Sequence, residues 1–231
     1  MLRVIRLSSL LLLALVVGIW AYAWVSKSPQ ETLGEAFANR LAGVFGQDMA
    51  APTAAGGGMQ LPAGMSLGGA FELVNQAGQT VTERDFAGRW MLVYFGFTFC
   101  PDICPTELGT IASALDAMGP AGDAVTPVLI TIDPQRDTPA QLADYVSRFH
   151  PRMQGLTGTV EQIAAAARRY RVYYARVQRP DMTDYVMDHS SFIYLVGPDA
   201  KVRALFRPET TPEAIAAAIQ TQLRAPRSPA S

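Results

Sequence analysis

Hydrophobic and polar positions divide the chain into stretches of different character. From Leu7 to Val25 no charged residue occurs, and the run of Leu, Val and Ala ends in Trp20, Tyr22 and Trp24. Nineteen residues at about 1.5 Å rise each just cross a hydrocarbon layer of roughly 30 Å. Ser28-Pro29-Gln30-Glu31 reads as a capping box, and Leu33, Phe37, Leu41 and Val44 follow at helical spacing. Residues 46–69 are mostly Gly, Ala, Pro and Met and read as a flexible linker. Beyond it, Phe71, Leu73 and Val81 around Gln76-Ala77-Gly78-Gln79 predict a hairpin, and the apolar run Met91 to Phe97 predicts a strand buried on both faces. Leu108, Ile111, Leu115 and Met118 recur as in a helix, and Val125 to Ile132 predicts a second buried strand. Thr138-Pro139 opens a helix, Val160 to Tyr170 forms another, and Val172 to Val177 is strand-like. Ser191 to Val196 and Lys201 to Phe206 flank a Gly197-Pro198-Asp199 turn, and Thr211-Pro212 starts a last helix through Leu223. Tyr173, Tyr174 and the strand aromatics read as core.

This order of elements is that of an α/β, thioredoxin-like domain, a central mixed sheet flanked by helices with an N-terminal hairpin. The expected organisation is a single N-terminal transmembrane helix over 1–26, a tether over 27–68, the folded domain over 69–224 and a tail over 225–231. Arg3 and Arg6 before the apolar run keep the N-terminus in the cytoplasm and export the rest. Ala21-Tyr22-Ala23 also fits a signal-peptide cleavage site, but the apolar run continues through Val25 and favours an uncleaved, single-pass anchor. The span begins too close to Met1 for an organellar transit peptide, which points to a bacterial inner membrane with the C-terminal domain in the periplasm. Composition fits this division: 49% hydrophobic and only 17% charged residues, against about 25% charged in an average soluble domain. With 19 basic and 20 acidic side chains, no cationic excess exists to neutralise phosphates, so nucleic acid is not an expected partner.

Two cysteines and two histidines are the whole supply of soft or borderline ligands apart from methionine. Both cysteines lie in Gly96-Phe97-Thr98-Phe99-Cys100-Pro101-Asp102-Ile103-Cys104-Pro105, between a buried strand and a helix N-terminus, where dipole and free N–H groups favour thiolate. The pair is too few for a disulfide scaffold or a four-thiolate zinc site, and its close spacing allows a disulfide or a shared metal ion. Dithiol exchange of the thioredoxin kind expects C-x-x-C after Trp, and Cys100 follows Phe99 with one residue more in the spacing. A peroxidatic cysteine expects Pro and Thr where Val93 and Phe97 stand. A copper site from two thiolates and an imidazole remains, and it turns on a histidine. His150 reads as a solvated residue at a helix end. His189 precedes the strand from Ser191, in the loop that faces the cysteines across a thioredoxin-like sheet. Asp102, Asp137 and Asp188 would give the mouth of such a site a negative field. Arg168, Arg169, Arg171, Arg176 and Arg179 read as a solvated basic face.

The cysteine segment, Ile130-Thr131-Ile132-Asp133-Pro134-Gln135-Arg136-Asp137-Thr138, Asp188-His189-Ser190 and Leu195-Val196-Gly197-Pro198-Asp199 together resemble the Sco/SenC family over roughly residues 67–223. That resemblance implies a membrane-anchored, thioredoxin-like metallochaperone, not an enzyme, that delivers copper, as Cu(I) or Cu(II), to the CuA centre of a cytochrome c oxidase subunit. It implies that Cys100, Cys104 and His189 are the copper ligands, that Cys100 and Cys104 also form the redox disulfide, and that Asp133 lies near the site. Phe99 departs from the His that many members carry beside the first cysteine. Thiolates select Cu(I), which accepts three ligands, whereas zinc would want a fourth, for which Asp188 is available. Binding requires reduced cysteines, so a periplasmic thiol reductant and a copper donor are expected partners. The alternative is a thiol-disulfide reductase that keeps oxidase or other client cysteines reduced.

Overall fold

A computed structural model of the chain describes residues 58–62, 64–178 and 184–224. The expected membrane anchor, most of the tether, and the C-terminal tail lie outside them. Among the described residues no helix is long and apolar enough to cross a membrane.

Among the described residues nine strands and four α-helices follow in the order β1 (Glu72–Asn75), β2 (Thr80–Thr82), β3 (Trp90–Gly96), α1 (Ile103–Ala117), β4 (Val125–Thr131), α2 (Pro139–Ser147), β5 (Gln154–Thr157), α3 (Val160–Tyr170), β6 (Tyr174–Val177), β7 (Val186–His189), β8 (Ile193–Val196), β9 (Val202–Phe206) and α4 (Pro212–Arg224). Seven strands form one mixed sheet in the order β2-β1-β5-β4-β3-β8-β9. β3 pairs parallel with β4, Gly96 opposite Thr131, and antiparallel with β8, Tyr94 opposite Ile193. The two central strands are buried along nearly their whole length, as expected when helices cover both faces. Helices α2 and α3 each begin at a Thr whose hydroxyl accepts the N3 backbone N–H while a Gln side chain returns the bond. These capping boxes satisfy N–H groups that the helix itself leaves free. The sheet is that of an α/β, thioredoxin-like fold, and the buried side chains of both faces make one core.

The structure differs from the sequence reading at several points. β5 was not anticipated: Gln-Gly-Leu-Thr is short, contains Gly and lacks alternation, and it is a strand because β4 and β1 hold it on either side. β6 does not join the central sheet but pairs with β7, register Tyr174 opposite His189, as a separate two-stranded sheet. Residues read as tether reach the sheet, since Met59 bridges Leu205 and Gly68 bridges Lys201. Tyr173 is 65% exposed rather than core; it follows Arg171, whose left-handed backbone ends α3. His150 is buried rather than solvated, its Nδ1 accepting the Arg152 N–H, and burial pushes its pKa down.

Candidate metal centre

The site lies where β3 ends. Its C-terminal residues pass through Phe97 and Phe99 into α1, so both cysteines stand at the edge of the parallel pair, where open α/β sheets place their ligands. Asp102 makes no side-chain cap for α1. Instead the Cys100 sulfur accepts the Cys104 backbone N–H at 3.5 Å. A sulfur thus occupies the anion position at a helix N-terminus. The Cys104 thiol donates to the Cys100 sulfur, which outweighs partial burial, and His189 and the backbone N–H groups add to it; the Cys100 pKa falls to about 4. The same bond and full burial push the Cys104 thiol far up. Both cysteines are free.

The strand β7 brings His189 to the same point. Its Nε2 lies 3.6 Å from the Cys104 sulfur, and its Nδ1 lies 3.1 Å from the Ser190 carbonyl oxygen. A carbonyl only accepts, so Nδ1 donates to Ser190 and Nε2 is the ring nitrogen turned toward the cysteines. An Nδ1 held by a neighbouring carbonyl is the usual arrangement of a ligating histidine, which binds metal through its other nitrogen. Cys104 and His189 would be two of the residues to hold a soft metal ion, through thiolate and imidazole. Edge-on contacts with Tyr94 and Phe97, at centroid distances of 5.9 and 6.0 Å, hold the ring. The Tyr94 hydroxyl is 3.9 Å from the Cys104 sulfur. Among the described residues no group of three or more His, Cys, Asp or Glu side chains is placed to hold a metal ion; Cys100 is half-buried and borders an open cleft of about 390 Å³ with Pro101, Asp102, Asp188 and His189.

The acidic residues divide in a way the sequence did not disclose. Asp102 and Asp188 are exposed at the cleft, but Asp137 has no exposed surface. Its carboxylate accepts the Thr98 N–H at 3.1 Å, the Thr98 hydroxyl at 2.6 Å and the Thr131 hydroxyl at 2.6 Å. It therefore braces the loop before Cys100 against β4 instead of charging the mouth. Burial raises its pKa despite these bonds. Asp133, also buried, accepts from the Tyr185 hydroxyl at 2.7 Å and from Arg136 Nε at 2.5 Å. His150 has no part in the cysteine cleft. The only advance sign of Asp137's role was its place three residues after Pro134, in the turn that follows β4.

The family model described as SCO1/SenC matches residues 60–224. The chain belongs to the SCO1/SenC family. Among curated members, Protein sco1 of Schizosaccharomyces pombe is 44% identical over 156 residues, which cover 66% of this chain and 59% of that protein. For human Protein SCO1 homolog, mitochondrial, the figures are 42% over 160 residues, 68% and 53%. The chain thus spans little more than half the length of these SCO1/SenC relatives. Solved members share the fold: Arabidopsis thaliana ScoI with copper bound (41% identity, TM-score 0.65, covering 68% of this chain and 98% of that one) and Bradyrhizobium japonicum ScoI with copper bound (42%, 0.62, 67% and 98%). A more distant structure, BsSco, is described as a member of the Sco family of cytochrome c oxidase assembly proteins with a disulfide switch (25%, 0.56, 71% and 95%).

Proposed function

We propose that this protein is a copper metallochaperone that binds one copper ion through Cys100, Cys104 and His189 and delivers it to the CuA centre of a cytochrome c oxidase subunit. The observation that carries this reading is His189 Nε2 facing the Cys104 sulfur at 3.6 Å while Nδ1 is held by the Ser190 carbonyl. Copper in two solved relatives supports the choice of metal. So does the donor chemistry: soft thiolates and one imidazole suit Cu(I), and a zinc site would want a further ligand. The apolar run Leu7 to Val25 supports a single-pass anchor in a bacterial inner membrane, with the domain in the periplasm beside its client. In that oxidising compartment a thiol reductant and a copper donor are further partners, because the cysteines must be reduced to accept metal.

One observation favours the second reading, a thiol-disulfide reductase: Cys100 is a half-buried free cysteine beside a fully buried one, which with nearby N–H groups pushes its pKa down to about 4. A strongly stabilised thiolate, however, makes the dithiol form the favoured one and the pair a poor reductant. Copper binding needs that dithiol form. Copper titration of the reduced protein separates the readings. One equivalent binds the wild type, Cys100→Ala and Cys104→Ala abolish binding, and His189→Ala weakens it. Unchanged affinity in His189→Ala would remove that residue from the ligand set. Copper-free turnover of a client disulfide, indifferent to His189, would establish the reductase instead.

A further inference from the structure

His189 rides on a hairpin that forms no strand pairing with the central sheet, while both cysteines issue directly from it. Something must set the distance between these two halves. Three segments meet beside the site. Arg136, in the turn after β4, places its guanidinium carbon 4.7 Å from the centre of the Phe99 ring and 3.7 Å from that of Tyr185. Phe99 immediately precedes Cys100, and Tyr185 stands four residues before His189. Arg136 also donates from Nη1 to the Tyr185 carbonyl at 3.1 Å and from Nε to Asp133. The other Asp133 oxygen accepts the Tyr185 hydroxyl. Arg176 of β6 lies over the Tyr185 ring at 3.5 Å. Arg136 Nη2 is buried and has no hydrogen-bond partner among the described residues, which suits a cation stacked on aromatic rings.

We propose that Phe99, Arg136, Asp133 and Tyr185 form a clamp that fixes the His189 hairpin against the cysteine loop, with Arg136 as the positioning residue. The clamp presupposes His189 as a metal ligand. It holds no metal itself. Its work is to keep the hairpin in the one arrangement that brings Nε2 to the Cys104 sulfur, so that copper meets a prearranged site. Asp133 orients the guanidinium and Tyr185 together, and Phe99 carries their position to the residue next to Cys100. Met187 and Tyr174 also pack on the core, so the hairpin stays folded without the clamp but samples a wider range of positions. Affinity falls in proportion to the fraction of molecules that are binding-competent.

The test is a Cu(I) competition titration against a chromophoric chelator with the reduced full chain. Arg136→Lys keeps the charge and loses the planar stack; Tyr185→Leu loses ring and hydroxyl. Each is expected to weaken Cu(I) binding about tenfold, as a fall of the competent fraction from near unity to about a tenth would give. In the His189→Ala background neither should weaken it further, a non-additivity that general destabilisation would not produce. Tyr185→Phe, which keeps the ring, should stay within about threefold of the wild type and guards against a Leu variant that misfolds. Wild-type affinity in Arg136→Lys and Tyr185→Leu beside a weakened His189→Ala would overturn the clamp alone. So would equal losses with and without His189. Wild-type affinity in His189→Ala would overturn the ligand reading on which the clamp rests.

Discussion

Gly96 closes β3 directly beneath the cysteine pair, and its lack of a side chain is what lets the Cys104 thiol sit there. A Cβ at this position would stand 2.7 Å from Cε1 of Tyr94 and 3.1 Å from the Cys104 sulfur. Carbon atoms in good contact are about 3.5–4.0 Å apart, so the ring must move by the order of 1 Å. Tyr94 is fully buried, with its hydroxyl against the same sulfur, so its ring cannot move without displacing that sulfur. Overpacking of this kind costs about 1–3 kcal/mol. Replacing Gly within a strand returns roughly 0.5–1 kcal/mol of backbone entropy. Gly96→Ala should therefore lower stability by about 1–2 kcal/mol, a drop in melting temperature of roughly 2–8 °C for a domain of this size. The relief available to Tyr94 and Cys104 is to shift together, which pulls the sulfur out of register with His189. Copper affinity should fall about tenfold, equivalent to about 1.4 kcal/mol. Chemical denaturation of the apo protein and Cu(I) competition on the same sample measure the two effects. A variant with wild-type midpoint and wild-type affinity would refute the steric reasoning.

Two other predictions concern charge and hydrogen bonding. With its pKa near 4, Cys100 should be alkylated by iodoacetamide at a rate almost flat from pH 8 to 5 while Cys104 is spared; a tenfold fall per pH unit below 8 would contradict this. Because the folded pKa is depressed, the stability this thiolate lends the reduced domain is complete above the ordinary thiol value of about 8.5 and is lost as pH falls through about 4. Asp137→Ala leaves the Thr98 N–H and two hydroxyls without their acceptor and should cost about 2–4 kcal/mol. Asp137→Asn, with its oxygen toward Thr98 N–H and Thr131 and its amide donating to the Thr98 hydroxyl, should cost less than about 1 kcal/mol, since burying a charge is no longer required. Equal losses in the two variants would show that the carboxylate's charge, not its acceptor pattern, braces the loop.

Much of this was legible in the sequence because it is written locally. The apolar runs of β3 and β4, the Thr-Pro start of α2 and the hairpin turn at Gly197-Pro198-Asp199 need no distant partner, and the C-x-x-x-C spacing between strand and helix singles out the cysteine loop, though not its histidine. What was not legible depends on contacts made across the chain. Gln154–Thr157 becomes a strand only because β1 and β4 flank it. An aspartate reads as solvated until Thr98, 39 residues away, supplies two donors. His150 looks exposed from its helix and is covered by tertiary packing. The hairpin of β6 and β7 was half visible, because His189 was expected in a loop and instead ends a strand whose partner carries the basic residue Arg176.

X-ray absorption at the copper edge on the loaded, reduced protein tests the proposed ligand set most directly. Two sulfur scatterers and one imidazole nitrogen per copper are expected, with the nitrogen contribution lost in His189→Ala. A shell without two sulfurs, or a nitrogen signal unchanged in His189→Ala, would contradict the three-ligand site.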